Sequence, residues 1–153
     1  MKNDMLLIDN SDKQIQTNFV ARELFYPDYS DVFKAGQLPF YCRKDIILAL
    51  QFIRSYYVMP INITSFIRPD ISQLFHYYGL AVDFCFNNNT IPMQIQNFKY
   101  DLDVTKPGSM IYNLLAFNVR GFGIGSNHVH LDLRCSHFTN VINGEPFCIF
   151  ADI

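Results

Sequence analysis

The chain has 153 residues, of which half are hydrophobic and 15 are phenylalanine. This length and composition predict a single folded domain over residues 1–153, with a packed core, and they exclude a disordered chain. The formal net charge of −2 predicts neither a nucleic-acid-binding surface nor a polybasic membrane patch. No stretch is apolar over the length of a transmembrane helix, so we expect no membrane segment.

The N-terminal sequence, MKNDMLLIDNSDKQ, has no apolar segment of the kind that a signal peptide needs, so we expect synthesis in the cytoplasm. The four cysteines are widely scattered and form no CxxC pair. Without a secretory signal, buried thiols are favoured over disulfides at these positions, which are Cys42, Cys85, Cys135 and Cys148.

The first half of the chain predicts a short amphipathic segment, a turn, a helix and a strand. The amphipathic segment is TNFVARELF, and YPDYSD after it is a turn. Apolar residues at helical spacing predict a core helix over Arg43–Tyr57. The β-branched stretch MPINITSF, which contains Pro60 near its start, predicts a short strand.

The second half predicts further strands and a second helix. IRPDISQLFHYYG is predicted to be a loop with a helical turn that stops at Gly79, followed by a strand over LAVDFCF and a polar turn over NNNTIP. Lys106–Val119 predicts a helix that opens near Pro107. GFGIGSNHVHLDLR is predicted to begin as a glycine-rich turn and become a strand, and PFCIF to add a final edge strand. Helices flanking a mostly antiparallel sheet indicate an α+β fold.

The late strand NHVHLDLR separates polar from apolar side chains. Strand alternation places His128, His130 and Asp132 on one face and the aliphatic residues between and after them on the other. Same-face neighbours lie roughly 6.6 Å apart along a strand, so one of these histidines can bind a metal ion while the other faces the same cavity. The apolar face anchors the strand in the core, and the polar face must line a cleft or solvent.

The stretch HYYGLAVDFCF carries an aspartate inside an apolar run. Burying a carboxylate costs several kcal/mol unless a charged or polar group compensates it. On its face of the predicted strand, Asp83 lies between the small residues Ala81 and Cys85. A turn at Gly79 can fold His76 back towards it. Two histidines and a carboxylate with one open position are the usual composition of a catalytic zinc site. The alternative is that the late histidines face solvent and Asp83 forms an ordinary salt bridge.

Taken together, these stretches resemble the zinc D-Ala-D-Ala carboxypeptidase family, whose relatives include phage endolysins and the Hedgehog signalling domain. The family has a Ser-Arg element, then His-x-x-Gly-x-Ala-x-Asp, then a late histidine within a strand. Here these are SFIRP, HYYGLAVD and HVHLDLR, and TNFVARELF is similar to the opening of a phage-rich branch. The resemblance runs from Thr17 to Arg134 and implies a Hedgehog/DD-peptidase-like α+β fold.

The resemblance implies a role for five side chains. His76, Asp83 and His130 would hold Zn2+, which would make a water molecule easier to deprotonate for attack on a peptide bond. Arg68 would bind a carboxylate of the peptide substrate with its two-pronged guanidinium, with a surface ion pair as the alternative. Ser65 would assist binding or polarise the scissile carbonyl, with a plain strand-end hydroxyl as the alternative.

The sequence departs from the family pattern in two places. Many members carry an acidic general base three residues before the last zinc histidine, where this chain has Asn127. Other relatives use a His-x-His pair, and His128 fits that proton-transfer role. The family serine two residues before the first histidine is Leu74 here.

The roles of two further sets of residues stay open. Asp132 either orients a metal ligand or pairs with Arg134 or Arg120. Cys135 and His137 could form a rival metal set with His128, although the missing CxxC pair argues against it.

The leading functional expectation is a monomeric zinc peptidase acting on peptidoglycan stem peptides next to a D-amino acid. Both D,D-carboxypeptidase action and L-Ala–D-Glu endopeptidase action fit the same core residues. The size fits a phage enzyme of lysis or infection that acts on the bacterial wall once released, with a bacterial recycling peptidase as the alternative. A catalytically inactive zinc-binding module and a metal-free structural protein are the competing classes.

Overall fold

The computed structural model describes residues 5–8, 14–25, 40–66, 74–77, 79–86, 100–103, 105–133, 140–142 and 145–151. The strands in these ranges are β1 (Met5–Ile8), β2 (Gln14–Gln16), β3 (Phe19–Val20), β4 (Phe40–Arg43), β5 (Ile61–Ser65), β6 (Ala81–Phe86), β7 (Gly121–Ile124), β8 (Val129–Asp132), β9 (Asn140–Ile142) and β10 (Glu145–Ala151). The helices are α1 (Lys44–Tyr57), α2 (Leu74–Tyr77), α3 (Met110–Asn113) and the 3-10 helices Ala21–Phe25, Tyr100–Leu102 and Leu114–Phe117.

A six-stranded sheet dominates the fold, with the strand order β5-β6-β8-β7-β10-β9. Its neighbouring strands are antiparallel except β7 and β10, which run parallel. Two small antiparallel sheets, β1-β4 and β2-β3, accompany it. The predicted α+β class with a mostly antiparallel sheet is therefore confirmed.

Helix α1 supplies one side of the hydrophobic core. The predicted helix is confirmed and begins one residue later than expected, at Lys44. Its buried residues recur at helical spacing and join the apolar side chains of the sheet in one cluster. They are Ile46, Ile47, Ala49, Leu50 and Ile53. At the end of the helix, the Tyr57 ring meets Phe86 of β6 edge-on at 5.5 Å between ring centroids.

The second predicted helix is shorter than the sequence indicated. It begins at Met110, where the Ser109 hydroxyl accepts a hydrogen bond from the Tyr112 amide at 3.2 Å. Gly108 has a left-handed φ of 92°, which keeps the segment from Lys106 to Gly108 out of the helix. After Asn113 the helix tightens into a 3-10 helix, so the expectation of a continuous helix from Lys106 is wrong.

Two strand predictions also need correction. Gly121–Ile124 is not a turn but the fully buried strand β7, hydrogen-bonded between β8 and β10. Pairing with a strand on each side satisfies the backbone N–H and C=O groups of β7. This gain overrides the preference of its glycines for turns. The segment PFCIF lies within β10, which is not the last strand in the sheet order, because β9 pairs with its first residues and β7 with its residues from Cys148 onwards.

The remaining predicted elements agree with the structure where it describes them. The strands predicted over MPINITSF and LAVDFCF are β5 and β6, and TNFVARELF buries Phe19, Ala21 and Leu24. The predicted turns YPDYSD and NNNTIP lie outside the described residues. Among the helices that the structure describes, none combines the length and apolar character needed to cross a membrane.

Candidate metal centre

Strand pairing brings the first two candidate ligands together. β6 and β8 are antiparallel neighbours, and Asp83 lies directly opposite His130. Side chains of directly opposed residues project from the same face of a sheet. The His130 Nδ1 atom accordingly lies 2.6 Å from the Asp83 Oδ1 atom. The alternation of polar and apolar residues identified Asp83 and His130 as candidates, and the register between β6 and β8 places them opposite each other.

The third candidate, His76, reaches the strands through a tight reversal of the chain. Gly79 has a left-handed φ of 68°, and its amide donates to the His76 carbonyl at 3.1 Å. This turn folds α2 back over the start of β6. The His76 Nε2 atom then lies 3.4 Å from the Asp83 Oδ2 atom. The fold-back that the sequence predicted at Gly79 is confirmed.

The three side chains form one compact group. Asp83 presents one carboxylate oxygen to each imidazole, and the two rings lie 5.4 Å apart between centroids. One ligand atom from each of His76, Asp83 and His130 lies within 4.8 Å of the other two. The side chains are 9%, 13% and 16% exposed, respectively, so the group is shielded but reachable. These residues can hold a metal ion.

The ring nitrogens that point away from Asp83 are also hydrogen-bonded. His76 Nδ1 donates to the Phe66 carbonyl at 2.9 Å, and His130 Nε2 donates to Asp132 Oδ2 at 3.0 Å. Both partners are acceptors, so each of these outer nitrogens carries a proton. A metal ion held between these imidazoles and Asp83 would bind His76 Nε2 and His130 Nδ1, and the outer N–H groups would keep their partners. Histidines that bind metals in proteins usually donate their other N–H in this way.

The electrostatics of the group fit a cation. Burial acts to lower the pKa of His130, but hydrogen bonds to Asp132 and Asp83, and the charges of both carboxylates, outweigh it and raise the pKa to about 9. Two carboxylates thus favour positive charge at this imidazole. A metal ion that displaces the proton brings positive charge to the same place.

A β-bulge determines where Ser65 lies. Ile63 pairs with Phe84 and Ser65 pairs with Asp83, so Thr64 is the extra residue in β5. Simple alternation would put Ser65 on the core face with Ile63. The bulge instead puts it opposite Asp83, and Ser65 is 7% exposed. Ser65 thus lies next to Asp83 in the sheet, and its role towards a substrate stays a prediction.

His128 lies just before β8 and is not one of the three grouped residues. Its Nδ1 atom is 3.3 Å from the exposed Asn127 side-chain oxygen. The imidazole lies against Gly125, where an added Cβ would be 2.6 Å from His128 Cε1 and 2.7 Å from Nδ1. No sequence pattern singles out Gly125, because this contact depends on how the turn folds. The proton-transfer role of His128 stays a prediction.

Several predicted residues lie outside the described part of the chain. Arg68, Arg134 and the rival metal candidates Cys135 and His137 are among them. Cys42 and Cys85 are buried as predicted, and burial raises the pKa of the Cys85 thiol. The Phe66 carbonyl that holds His76 could not be found from sequence, since every residue carries the same backbone acceptor.

The comparisons with known proteins add no family to this geometry. No family model matches the chain, and no significant match was found among curated proteins or solved structures.

Proposed function

We propose that this chain is a zinc-dependent peptidase that hydrolyses an amide bond next to a D-amino acid in peptidoglycan stem peptides, in a Hedgehog/DD-peptidase-like fold. The observation that carries the proposal is the group formed by His76, Asp83 and His130, with ligand atoms within 4.8 Å of one another. Two imidazoles and a carboxylate are the donor set of many catalytic zinc sites. The resemblance of SFIRP, HYYGLAVD and HVHLDLR to the zinc D-Ala-D-Ala carboxypeptidases supports the substrate class.

The residues of the chain divide the work. His76, Asp83 and His130 would hold a zinc ion, which would polarise the scissile carbonyl and make water a better nucleophile. His128 accepts the proton from the attacking water and returns it to the leaving amine. Ser65, beside Asp83 in the sheet, donates a hydrogen bond to the substrate carbonyl.

The substrate is oriented by its own carboxylate. In this proposal Arg68 binds that group with two parallel hydrogen bonds, which positions the adjacent amide bond for attack. Either a terminal D-Ala or a D-Glu residue supplies such a carboxylate. Cleavage therefore follows one of two patterns, D,D-carboxypeptidase or L-Ala–D-Glu endopeptidase.

The direct test is digestion of defined muropeptides with the zinc-loaded chain, followed by mass spectrometry. We expect one amide bond to be cut, with the product masses identifying which, and activity to stop with a chelator and return with zinc. Asp83→Asn should abolish cleavage. Asp103→Asn is the matched control, because Asp103 accepts hydrogen bonds from Thr105 and is not one of the three grouped residues. Metal-loaded protein that cuts no muropeptide would contradict the peptidase proposal.

A second candidate is a zinc-binding module of the same fold without turnover. Asn127 favours it, since this exposed amide occupies the position of the acidic base in many family members and cannot accept a proton. The variant His128→Ala separates the two candidates. If His128 transfers the proton, its loss should slow cleavage roughly 100-fold while zinc binding persists. Tight zinc binding without cleavage in the unaltered chain would favour the module.

A further inference from the structure

The carboxylate of Asp132 lies beside the group formed by His76, Asp83 and His130, and it is more deeply buried than these three side chains. Asp132, at the end of β8, has no exposed surface, and its Oδ2 atom lies 3.0 Å from His130 Nε2. We propose that Asp132 is a positioning residue, which fixes the tautomer and orientation of His130 so that Nδ1 is presented to the metal ion. This inference rests on the metal-binding part of the proposed function and not on peptide cleavage.

The hydrogen bond decides which ring nitrogen can bind a metal. An ionised carboxylate accepts hydrogen bonds and donates none, so His130 Nε2 must carry a proton to satisfy it. Nδ1 lies 2.6 Å from Asp83 Oδ1, so a metal ion bound between His130 and Asp83 would replace the proton on Nδ1 and leave Nε2–H bonded to Asp132. Turning the ring over would place carbon atoms at both positions and break both contacts.

The sheet holds Asp132 in place from both sides. Its directly opposed neighbours are Ala81 in β6 and Gly121 in β7, the two smallest residue types. They leave room for a carboxylate to lie within the sheet surface. The Asp132 carbonyl also accepts a hydrogen bond from the Arg120 amide at 2.9 Å. A buried carboxylate in a fixed backbone position is a stiff support for the ring that it contacts.

The test compares two variants of the full chain, Asp132→Leu and Asp132→Asn. Leucine is similar in size and accepts no hydrogen bond, whereas the asparagine oxygen can still accept from Nε2. We expect Asp132→Leu to weaken Zn2+ affinity about 10- to 100-fold, and Asp132→Asn to weaken it less. Competition with a chromophoric chelator measures the affinity. The 15N shifts of the His130 ring in the zinc-loaded chain report its tautomer, that is, which nitrogen binds the metal ion, and in Asp132→Leu they should show Nδ1-bound and Nε2-bound forms together.

Asp101→Leu is the matched control, since Asp101 is another buried carboxylate, bonded to two tyrosines and not to a histidine. It should leave Zn2+ affinity and the His130 tautomer unchanged. Wild-type affinity and an unchanged tautomer in Asp132→Leu would overturn the inference, as would an unaltered chain that binds no Zn2+. If Asp132→Leu does not fold, Asp132→Asn alone decides. It should lose less than about tenfold in Zn2+ affinity and keep Nδ1 on the metal ion, and a larger loss or a mixture of Nδ1-bound and Nε2-bound forms would overturn the inference. Zinc binding without peptide cleavage would defeat the peptidase proposal alone.

Discussion

Two buried or nearly buried carboxylates, Asp83 and Asp101, meet different partners in this protein. Asp101 accepts hydrogen bonds from the hydroxyls of Tyr56 at 2.6 Å and Tyr57 at 3.0 Å. Asp83 meets imidazole nitrogens of His76 and His130 instead. Both arrangements join segments that are distant in sequence, yet within the described residues the histidine group is the one that can hold a metal ion.

The difference lies in what the partners can do besides hydrogen-bonding. A neutral phenol keeps its proton, and burial together with the charge of Asp101 raises the pKa of Tyr57 further above its usual range. The Asp101 cluster is therefore a closed structural contact that ties the end of α1 to the 3-10 helix Tyr100–Leu102. An imidazole can give up its proton and offer a lone pair. The residues that contact the carboxylate, and not the carboxylate itself, distinguish a candidate metal site from a purely structural hydrogen-bonded contact.

Removing a metal ligand should have the largest effect. We expect His130→Ala to lower peptidase activity by roughly three orders of magnitude, because the stabilisation that a bound metal gives the transition state is worth several kcal/mol. Isothermal titration measures the loss of Zn2+ affinity in this variant, and a muropeptide assay measures the loss of activity. A variant that keeps full zinc affinity would exclude His130 as a ligand.

Changing the pH should separate the two clusters. The folded-state pKa of His130 is raised from 6.5 to about 9, so its charge stabilises the metal-free fold fully below pH 6.5 and this contribution is lost as the pH rises through 9. Zinc must displace that proton, so zinc affinity should rise about tenfold per pH unit over the same interval. Tyr57 stays protonated throughout this interval.

Thermal unfolding of the metal-free chain and zinc titration, each from pH 6.5 to 9, test this prediction. We expect metal-free stability to fall while zinc affinity rises. Titrations in buffers of different ionisation enthalpy should show release of a proton on binding. Zinc affinity that does not vary with pH would contradict the assignment of His130 Nδ1.

Breaking the tyrosine cluster should affect stability and leave metal binding intact. Asp101→Leu leaves two hydroxyls without their carboxylate acceptor, and we expect it to lower the free energy of unfolding by about 1–3 kcal/mol. Urea denaturation measures the loss, with zinc affinity as the control. A large loss of zinc affinity in this variant would show that the two clusters are coupled.

The smallest predicted effect concerns the packing of the His128 imidazole against Gly125. A Cβ at Gly125 would lie 2.6 Å from His128 Cε1, so in Gly125→Ala the imidazole must move. If His128 transfers a proton, we expect kcat to fall roughly tenfold because the group is misplaced, with zinc affinity unchanged. Activity equal to that of the unaltered chain would remove the support for His128, whereas His128→Ala tests the imidazole itself.

The local elements could largely be predicted from the sequence. Helix α1 follows from apolar residues at helical spacing, and β6 and β8 follow from alternation around Asp83 and His130. Spacing also selected His76, because Gly79 permits the reversal that returns it to the strands. These features depend on residues that are close in the chain, so a short window of sequence contains their cause.

The tertiary structure alone decided which residues became neighbours. The pairing of β6 with β8 set Asp83 opposite His130, and a one-residue bulge moved Ser65 to the same face. Burial between β8 and β10 made GFGI a strand rather than a turn. The tertiary structure also brought the Asp132 carboxylate to His130 Nε2, which is the ligand-orienting alternative for this residue. Strand register and burial are set by contacts between distant segments, and one residue's shift moves a side chain to the opposite face. Local sequence patterns therefore name the ligand candidates, while long-range pairing gives them a common centre.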